Sequence, residues 1–288
     1  MKKINFLVSE YRDQIQKIHK KTRPFVIFFS VSFAAILGYV LFSLIFHTKT
    51  EKYISDQDNL QILFLTPITL FLWYVSSIFF KAEFYFWKGF AEKNEGVYRL
   101  VSRVDKENAV MFQQGTDQSI FHYVTFQEGN EETRIFSYSF NTGSGKQKVP
   151  HRYTVIAFSL LQTVPHIYLN YKSDRFGVSI GEKIPIPTEF EKSFTISTPK
   201  GYHLEALEIF TPDILAAILD LNITLDIEII DNQIYFFVEK YNSFGVGFTK
   251  YLAALEEKYT AVMSLMELLK PKLDQFRFTP IGDLPHRL

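Results

Sequence analysis

The chain has 288 residues, 47% of them hydrophobic and 22% charged, with 31 Lys+Arg against 31 Asp+Glu and no cysteine. Such an apolar share excludes a disordered chain, and the balanced charge supplies no field for nucleic acid, so no nucleic-acid partner is expected. The lack of cysteine removes disulfides, thiolate metal sites and cysteine nucleophiles, and leaves the redox compartment open.

Met1 to Arg23 carries Ile4, Leu7, Val8, Tyr11, Ile15 and Ile18 at helical spacing, with Lys2, Lys3, Arg12, Lys17, Lys20 and Lys21 around them. This predicts a basic amphipathic helix over 1–23. Two readings stay open for it: packing on protein, either its own domain or a partner copy, or lying on anionic lipid with its basic side chains in the headgroups.

Two apolar runs follow, Phe25–Phe46 and Leu60–Phe80, and neither contains Asp, Glu, Lys, Arg or His. At about 1.5 Å per residue each is long enough to cross a hydrocarbon core of roughly 30 Å. The first is too long for a signal-peptide core and lacks a small-residue cleavage pattern after it, so it reads as an uncleaved span. Ser30, Ala34 and Gly38 fall four apart and form a small-residue face for helix–helix packing. Pro67, between Thr66 and Thr69, predicts a kink in the second span. Basic residues precede the first span (Lys17, Lys20, Lys21, Arg23) and follow the second (Lys81, Lys88, Lys93), which places both termini in the cytoplasm and the 47–59 loop outside. The expected localisation is therefore the cell (inner) membrane, multi-pass. Without ionisable groups at depth, the pair makes a poor ion or proton path. Tyr85 and Trp87 are expected at the cytoplasmic interface.

The hairpin with its helical extension is expected over 24–94, ending near Asn94 and Gly96. An α+β cytoplasmic domain with a mainly antiparallel sheet is expected over 95–247. Ile120–Gln127, Thr133–Phe140, Tyr153–Ser159 and Ile167–Lys172 read as strands from their Phe, Tyr, Val, Ile and Thr content. The turn between Phe140 and Tyr153 contains Gly143-Ser144-Gly145-Lys146, which looks like the end of a phosphate loop. It lacks the earlier glycine, the following Ser or Thr and the strand–helix context, and so reads as a hairpin tip. Its basic residues, Lys146, Lys148, His151 and Arg152, form a candidate binding patch. Further on, Phe190–Ser197 reads as a strand, Thr211-Pro212-Asp213 opens a helix that ends near Asn222, and Leu225–Ile230 with Gln233–Glu239 reads as a hairpin turning at Asp231-Asn232. The 248–288 tail begins with an amphipathic helix to Phe276. Its Leu252, Leu255, Tyr259, Val262, Met263, Met266 and Leu269 stripe is expected to serve self-association or the 1–23 helix, with docking on its own sheet as the alternative. Lys270-Pro271 is expected to end or kink it.

Phe136 to Val155, with Thr142-Gly143-Ser144-Gly145-Lys146 and Tyr153-Thr154-Val155, resembles an uncharacterised family of bacterial membrane proteins with two N-terminal transmembrane helices. Pro165-His166, Glu189-Phe190-Glu191-Lys192-Ser193-Phe194, Pro199-Lys200-Gly201-Tyr202, Glu205-Ala206-Leu207 and Phe210-Thr211-Pro212-Asp213 fit the same family. The resemblance implies bacterial origin and a cytoplasmic α+β domain of unknown function, and brings no catalytic residue.

Chemistry-bearing motifs are few. The seven histidines include no pair at metal-ligand helical spacing, and no zinc-protease or nucleophile-elbow pattern occurs. His166 is expected to be structural, its ring bonding a backbone group. Glu189, Glu191, Glu205 and Glu208 are candidate carboxylates with solvent-exposed positions as the default. No catalytic residue, cofactor or metal ligand is assigned. The favoured function is a membrane-held binding or scaffold domain at the inner membrane face, whose partners are the bilayer and either a second copy or another membrane protein. The alternative is a membrane-associated enzyme acting there on a lipid or small metabolite.

Overall fold

The computed structural model describes residues 83–172, 178, 180–240 and 246–276, and scattered positions before them (4, 17, 20, 23–28, 31–33, 38, 69, 80 and 81). It divides into two compact units, Leu7–Phe86 and, as the second, Met1–Phe6 with Trp87–Leu288. In the first unit the described residues are helical, and Phe25, Ile27, Phe28, Val31 and Phe80 are exposed. Among the described residues no helix is long and apolar enough to cross a membrane. The predicted spans fall mostly outside the described residues, as do Ser30, Ala34 and Pro67; Gly38 is helical and exposed.

The second unit is α+β. Helix α1 (83–93) leads into it, and seven strands form one sheet: β1 (Val97–Ser102), β2 (Thr116–Glu128), β3 (Glu131–Thr142), β4 (Val149–Tyr171), β5 (Glu182–Lys183), β6 (Phe194–Thr198) and β7 (Asp226–Glu239). The order is β1-β2-β3-β4-β6-β5, with β7 along the other edge of β4, and every pairing is antiparallel. Helices α2 (Thr188–Glu191), α3 (His203–Ile209), α4 (Pro212–Asp220) and α5 (Val246–Gln275) complete it.

The start of this unit shows how local sequence sets the turn. Gly96 N–H returns to the Ala91 carbonyl at 2.7 Å, and Glu95, not Asn94 or Gly96, takes the left-handed conformation at φ 53°. Gly96 is needed for another reason: a Cβ there would lie 2.6 Å from the Phe126 ring. Trp87 is fully buried, stacked 6.2 Å from His122 and edge-on to Phe90. It is therefore core, not an interfacial anchor, and the α+β unit begins inside the predicted helical extension.

Strand β4 is the spine. What reads in sequence as two strands is one strand of 23 residues, paired with β3 along its first half, β6 near its end and β7 on the opposite edge. Pro165 is tolerated because the register with β7 shifts between Ser159, Val164 and Ile167, where a missing N–H costs no ladder bond. The predicted hairpin over 225–239 is also one strand: Asp231 takes φ 54° without reversing the chain. Phe190 belongs to a single helical turn, stacked 4.7 Å from Phe194.

Helix α5 lies on its own sheet, chiefly on β4, which corrects the expectation that its stripe serves another chain or the N-terminal helix. Leu252, Leu255, Val262, Leu265, Leu269 and Leu273 are fully buried, each worth about 1.5–3 kcal/mol relative to exposure. The helix runs through Pro271 to Gln275. Lys270, one residue earlier, holds Glu131 at 2.8 Å and Asp274 at 2.6 Å, while Leu273 seals the face. This packing offsets a proline cost of about 3 kcal/mol.

Candidate functional site

The opposite face of the sheet is covered by residues 104–113, an irregular strap with two 3-10 turns, Val104–Lys106 and Val110–Gln113. Its Phe112 enters an aromatic layer, edge-on to Tyr138 at 4.9 Å and to Tyr235 at 5.5 Å, beside Phe136 and Phe237. Beneath the strap lies the unit's concentration of buried polar groups.

One group of them centres on Glu107. Its carboxylate accepts from Tyr123 OH at 2.9 Å and Tyr235 OH at 3.1 Å, and pairs with Arg134 at 3.3 Å. Arg134 also donates to Gln233 Oε1 and lies 5.8 Å over the Tyr235 ring. The Tyr235 hydroxyl reaches Asn108 Oδ1, and Asn108 Nδ2 donates to Asp231 at 3.0 Å. Burial pushes the Glu107 carboxyl above its usual range, and the facing guanidinium only moderates this. Burial alone would lower the Arg134 pKa, but the Glu107 charge outweighs it and keeps the guanidinium firmly protonated. Burial raises the Tyr123 and Tyr235 hydroxyls, and Glu107 beside them raises them further, so they act as donors.

A second group sits further along β4 and β7. His166 Nε2 meets Glu228 Oε1 at 2.9 Å with both side chains at zero exposure, and the strap's Val110 N–H donates to the same oxygen at 2.6 Å. Thr198 Oγ1 on β6 donates to the His166 carbonyl at 2.9 Å. Next to it Tyr168 OH donates to Asp226 at 2.7 Å, and Tyr171 N–H to its other oxygen at 2.6 Å. Burial and the nearby Asp226 and Glu228 charges push the Tyr168 hydroxyl well up.

His166 is fully buried, and its Nε2 meets the Glu228 carboxylate where a backbone partner for the ring is expected from sequence. Glu107, Arg134, Asp226 and Glu228 were not read as important from sequence. The alternation in Asp226-Ile227-Glu228-Ile229 puts the acids on a nominal solvent face. The signal that could have exposed them is the matching alternation His166-Ile167-Tyr168-Leu169-Asn170 on the spine strand, which supplies polar partners to the same face. Among the described residues no group of three or more His, Cys, Asp or Glu is placed to hold a metal ion.

The residues of the candidate basic patch lie in the β3–β4 turn and the first residues of β4. Lys148 is exposed and pairs with Asp117 at 2.6 Å, whose carboxyl it holds below the usual range. His151 is buried, bonded to Thr142 at 2.8 Å and stacked 4.9 Å from Phe140. Arg152 is exposed, and Lys146 lies in the turn Gly145–Gln147. Gly143 takes φ 80°, as a hairpin tip requires. Glu189, Glu191 and Glu208 are exposed and Glu205 is half-buried. A shallow depression lined by Glu132, Ser159, Met266 and Lys270 lies at the opposite end of β3 from this tip.

No family model and no curated protein matches the chain. A crystal structure of the mycobacterial trehalose monomycolate transport factor A, TtfA, is similar with a TM-score of 0.44 and 15% identity, covering 64% of this chain and 93% of that one. At that level of likeness nothing about this chain's function is taken from it.

Proposed function

We propose that the protein is a two-pass membrane protein whose α+β unit is a binding or scaffold module at the cytoplasmic face, as in the bacterial two-helix family it resembles. The observation that supports this reading is that Ile4, only 7% exposed, falls in the same compact unit as Trp87–Leu288, so that the chain before and after Leu7–Phe86 belongs to one unit. Any membrane crossing within Leu7–Phe86 is then even in number, which fits two spans over Phe25–Phe46 and Leu60–Phe80. The exposure of Phe25, Ile27, Phe28 and Val31 on a helix suits a lipid solvent.

A module without turnover is favoured over an enzyme because the titratable groups gathered beneath the strap are spent on one another inside the core. His166 Nε2 is engaged by Glu228, and Glu107 by Arg134 and two tyrosines. The test is topology mapping of the full chain in bacterial cells. A reporter after Leu288 should be cytoplasmic, and one inserted at Asp56 should be outside. A cytoplasmic signal from both positions would sink the reading.

A further inference from the structure

The strap is a longer connection than its strands require. Residues 103–115 join β1 to β2, antiparallel neighbours of the kind that a two-residue turn can link. The chain instead leaves the β1 edge and crosses β2, β3 and β4 to reach β7, where Asn108 donates to Asp231 and Val110 N–H to Glu228, before it returns to β2. Long connections with so little regular structure of their own are characteristically lids or binding loops. The face beneath is lined as small-molecule sites are, by an aromatic layer with a few convergent polar groups. Two strap side chains fill it: Phe112 in the aromatic layer, and Glu107 in a cage of Arg134, Tyr123 and Tyr235. Tyr235 meets both, its hydroxyl donating to Glu107 at 3.1 Å and its ring lying 5.5 Å from that of Phe112.

Glu107 fills its cage imperfectly. Both of its oxygens approach one terminal nitrogen of Arg134, at 3.3 and 3.4 Å, whereas charge-assisted bonds of this kind run at about 2.7–2.9 Å. Arg134 Nε is buried and makes no hydrogen bond among the described residues, with Glu132 3.8 Å away. A carboxylate free of the strap can turn onto Nε and give the guanidinium the two-nitrogen grip that Glu107 does not. We infer that the strap is a lid, and that the face beneath it binds a small carboxylic acid bearing an aromatic or alkyl group. The ligand carboxylate replaces Glu107 on Arg134, and its apolar group replaces Phe112 between Tyr138 and Tyr235. The inference rests on the reading of the α+β unit as a binding module, and is independent of the two spans.

The probe is phenylbutyrate, with phenylbutyramide as its uncharged control, titrated onto the full chain in lipid nanodiscs while amide exchange is followed. The acid should bind more tightly than the amide. It should also speed exchange at Val110 and Phe112, whose N–H groups donate to Glu228 and to the Ala109 carbonyl in the closed strap. Val155 and Ile156, paired with β3 and β7, should keep their protection. Glu107→Gln with Phe112→Ala removes the resident occupant and should bind the acid at least about tenfold more tightly, because less of the binding is spent on opening the strap. Should that variant lose its protection at Val155 and Ile156, the exchange of the unmodified chain decides alone. No binding of the acid, equal binding of the amide, or unaltered exchange at Val110 and Phe112 in the acid-saturated chain overturns the inference and leaves the binding-module reading standing. So does a folded double variant that binds no more tightly. Phenylbutyrate returned chemically altered overturns the reading of a module without turnover, and this inference with it.

Discussion

Replacing Arg134 by methionine tests the idea that the strap is held by a buried charge pair. The substitution keeps most of the side-chain volume but leaves Glu107, fully buried, facing only two tyrosine hydroxyls. Breaking such a pair from one side costs about 3–5 kcal/mol when the orphaned charge stays ionised. The carboxyl is already raised by burial, and loss of the guanidinium removes the main opposing influence, so its folded-state pKa climbs further. For a group whose folded pKa exceeds its unfolded value, stability is fully present below the unfolded pKa and is lost as pH rises through the folded one. The deficit of Arg134→Met should therefore be large at pH 8 and shrink toward pH 5, with a slope of at most about 1.4 kcal/mol per pH unit. Glu107→Gln in the same chain removes the orphaned charge and should recover much of the loss at pH 8. The assay is urea unfolding of the full chain in detergent, read from Trp87 fluorescence in a Trp73→Phe background. An equal deficit at both pH values, or a double variant no more stable than the single one, refutes the reasoning.

Three other outcomes follow from individual contacts. Gly96→Ala places a Cβ 2.6 Å from the Phe126 ring and 3.0 Å from the Thr125 carbonyl; a loss of about 1–3 kcal/mol should appear in the same unfolding assay, and an unchanged midpoint would contradict the close approach. Leu255→Ala empties a fully buried position under α5. It should cost about 2–5 kcal/mol and speed amide exchange along Val246–Gln275, whereas a free helix would show neither. His166→Phe leaves Glu228 without its ring partner. Amide protection should fall first at Val110, whose N–H donates to that carboxylate; protection unaltered there would separate the strap from the pair.

The antiparallel meander was legible because β2, β3 and the first half of β4 carry aromatic and β-branched residues between real turn chemistry. The glycine-bearing hairpin tip is one such turn, and Gly143 takes the positive φ it supplies. The α4 start was legible for the same kind of reason, since Pro212 occupies its first turn. Asp231-Asn232 misled because a left-handed Asp serves a bulge as readily as a hairpin, and only the partner strand decides between them. The α5 stripe misled in another way: its spacing announces burial but not against what. That required knowing that β4 and β7 present Ile156, Phe158, Ile234 and Phe236 as a second apolar face.

The buried acids were the least legible, and their arrangement explains why the strap needs them. A strap of irregular backbone cannot satisfy its own N–H groups as a helix would, so the sheet must supply acceptors. Glu228 does so for Val110, and Asp231 fixes Asn108. Glu107 runs the opposite way, from strap to sheet, and finds Arg134, Tyr123 and Tyr235 waiting. An apolar strap would bury as much surface but would slide, because dispersion contacts have little directional preference. Contacts through directed bonds at Glu107, Asn108 and Val110 fix its register to one position. The acidic positions of β7 that look solvent-facing in sequence are thus the ones that hold the strap closed over its face of the sheet.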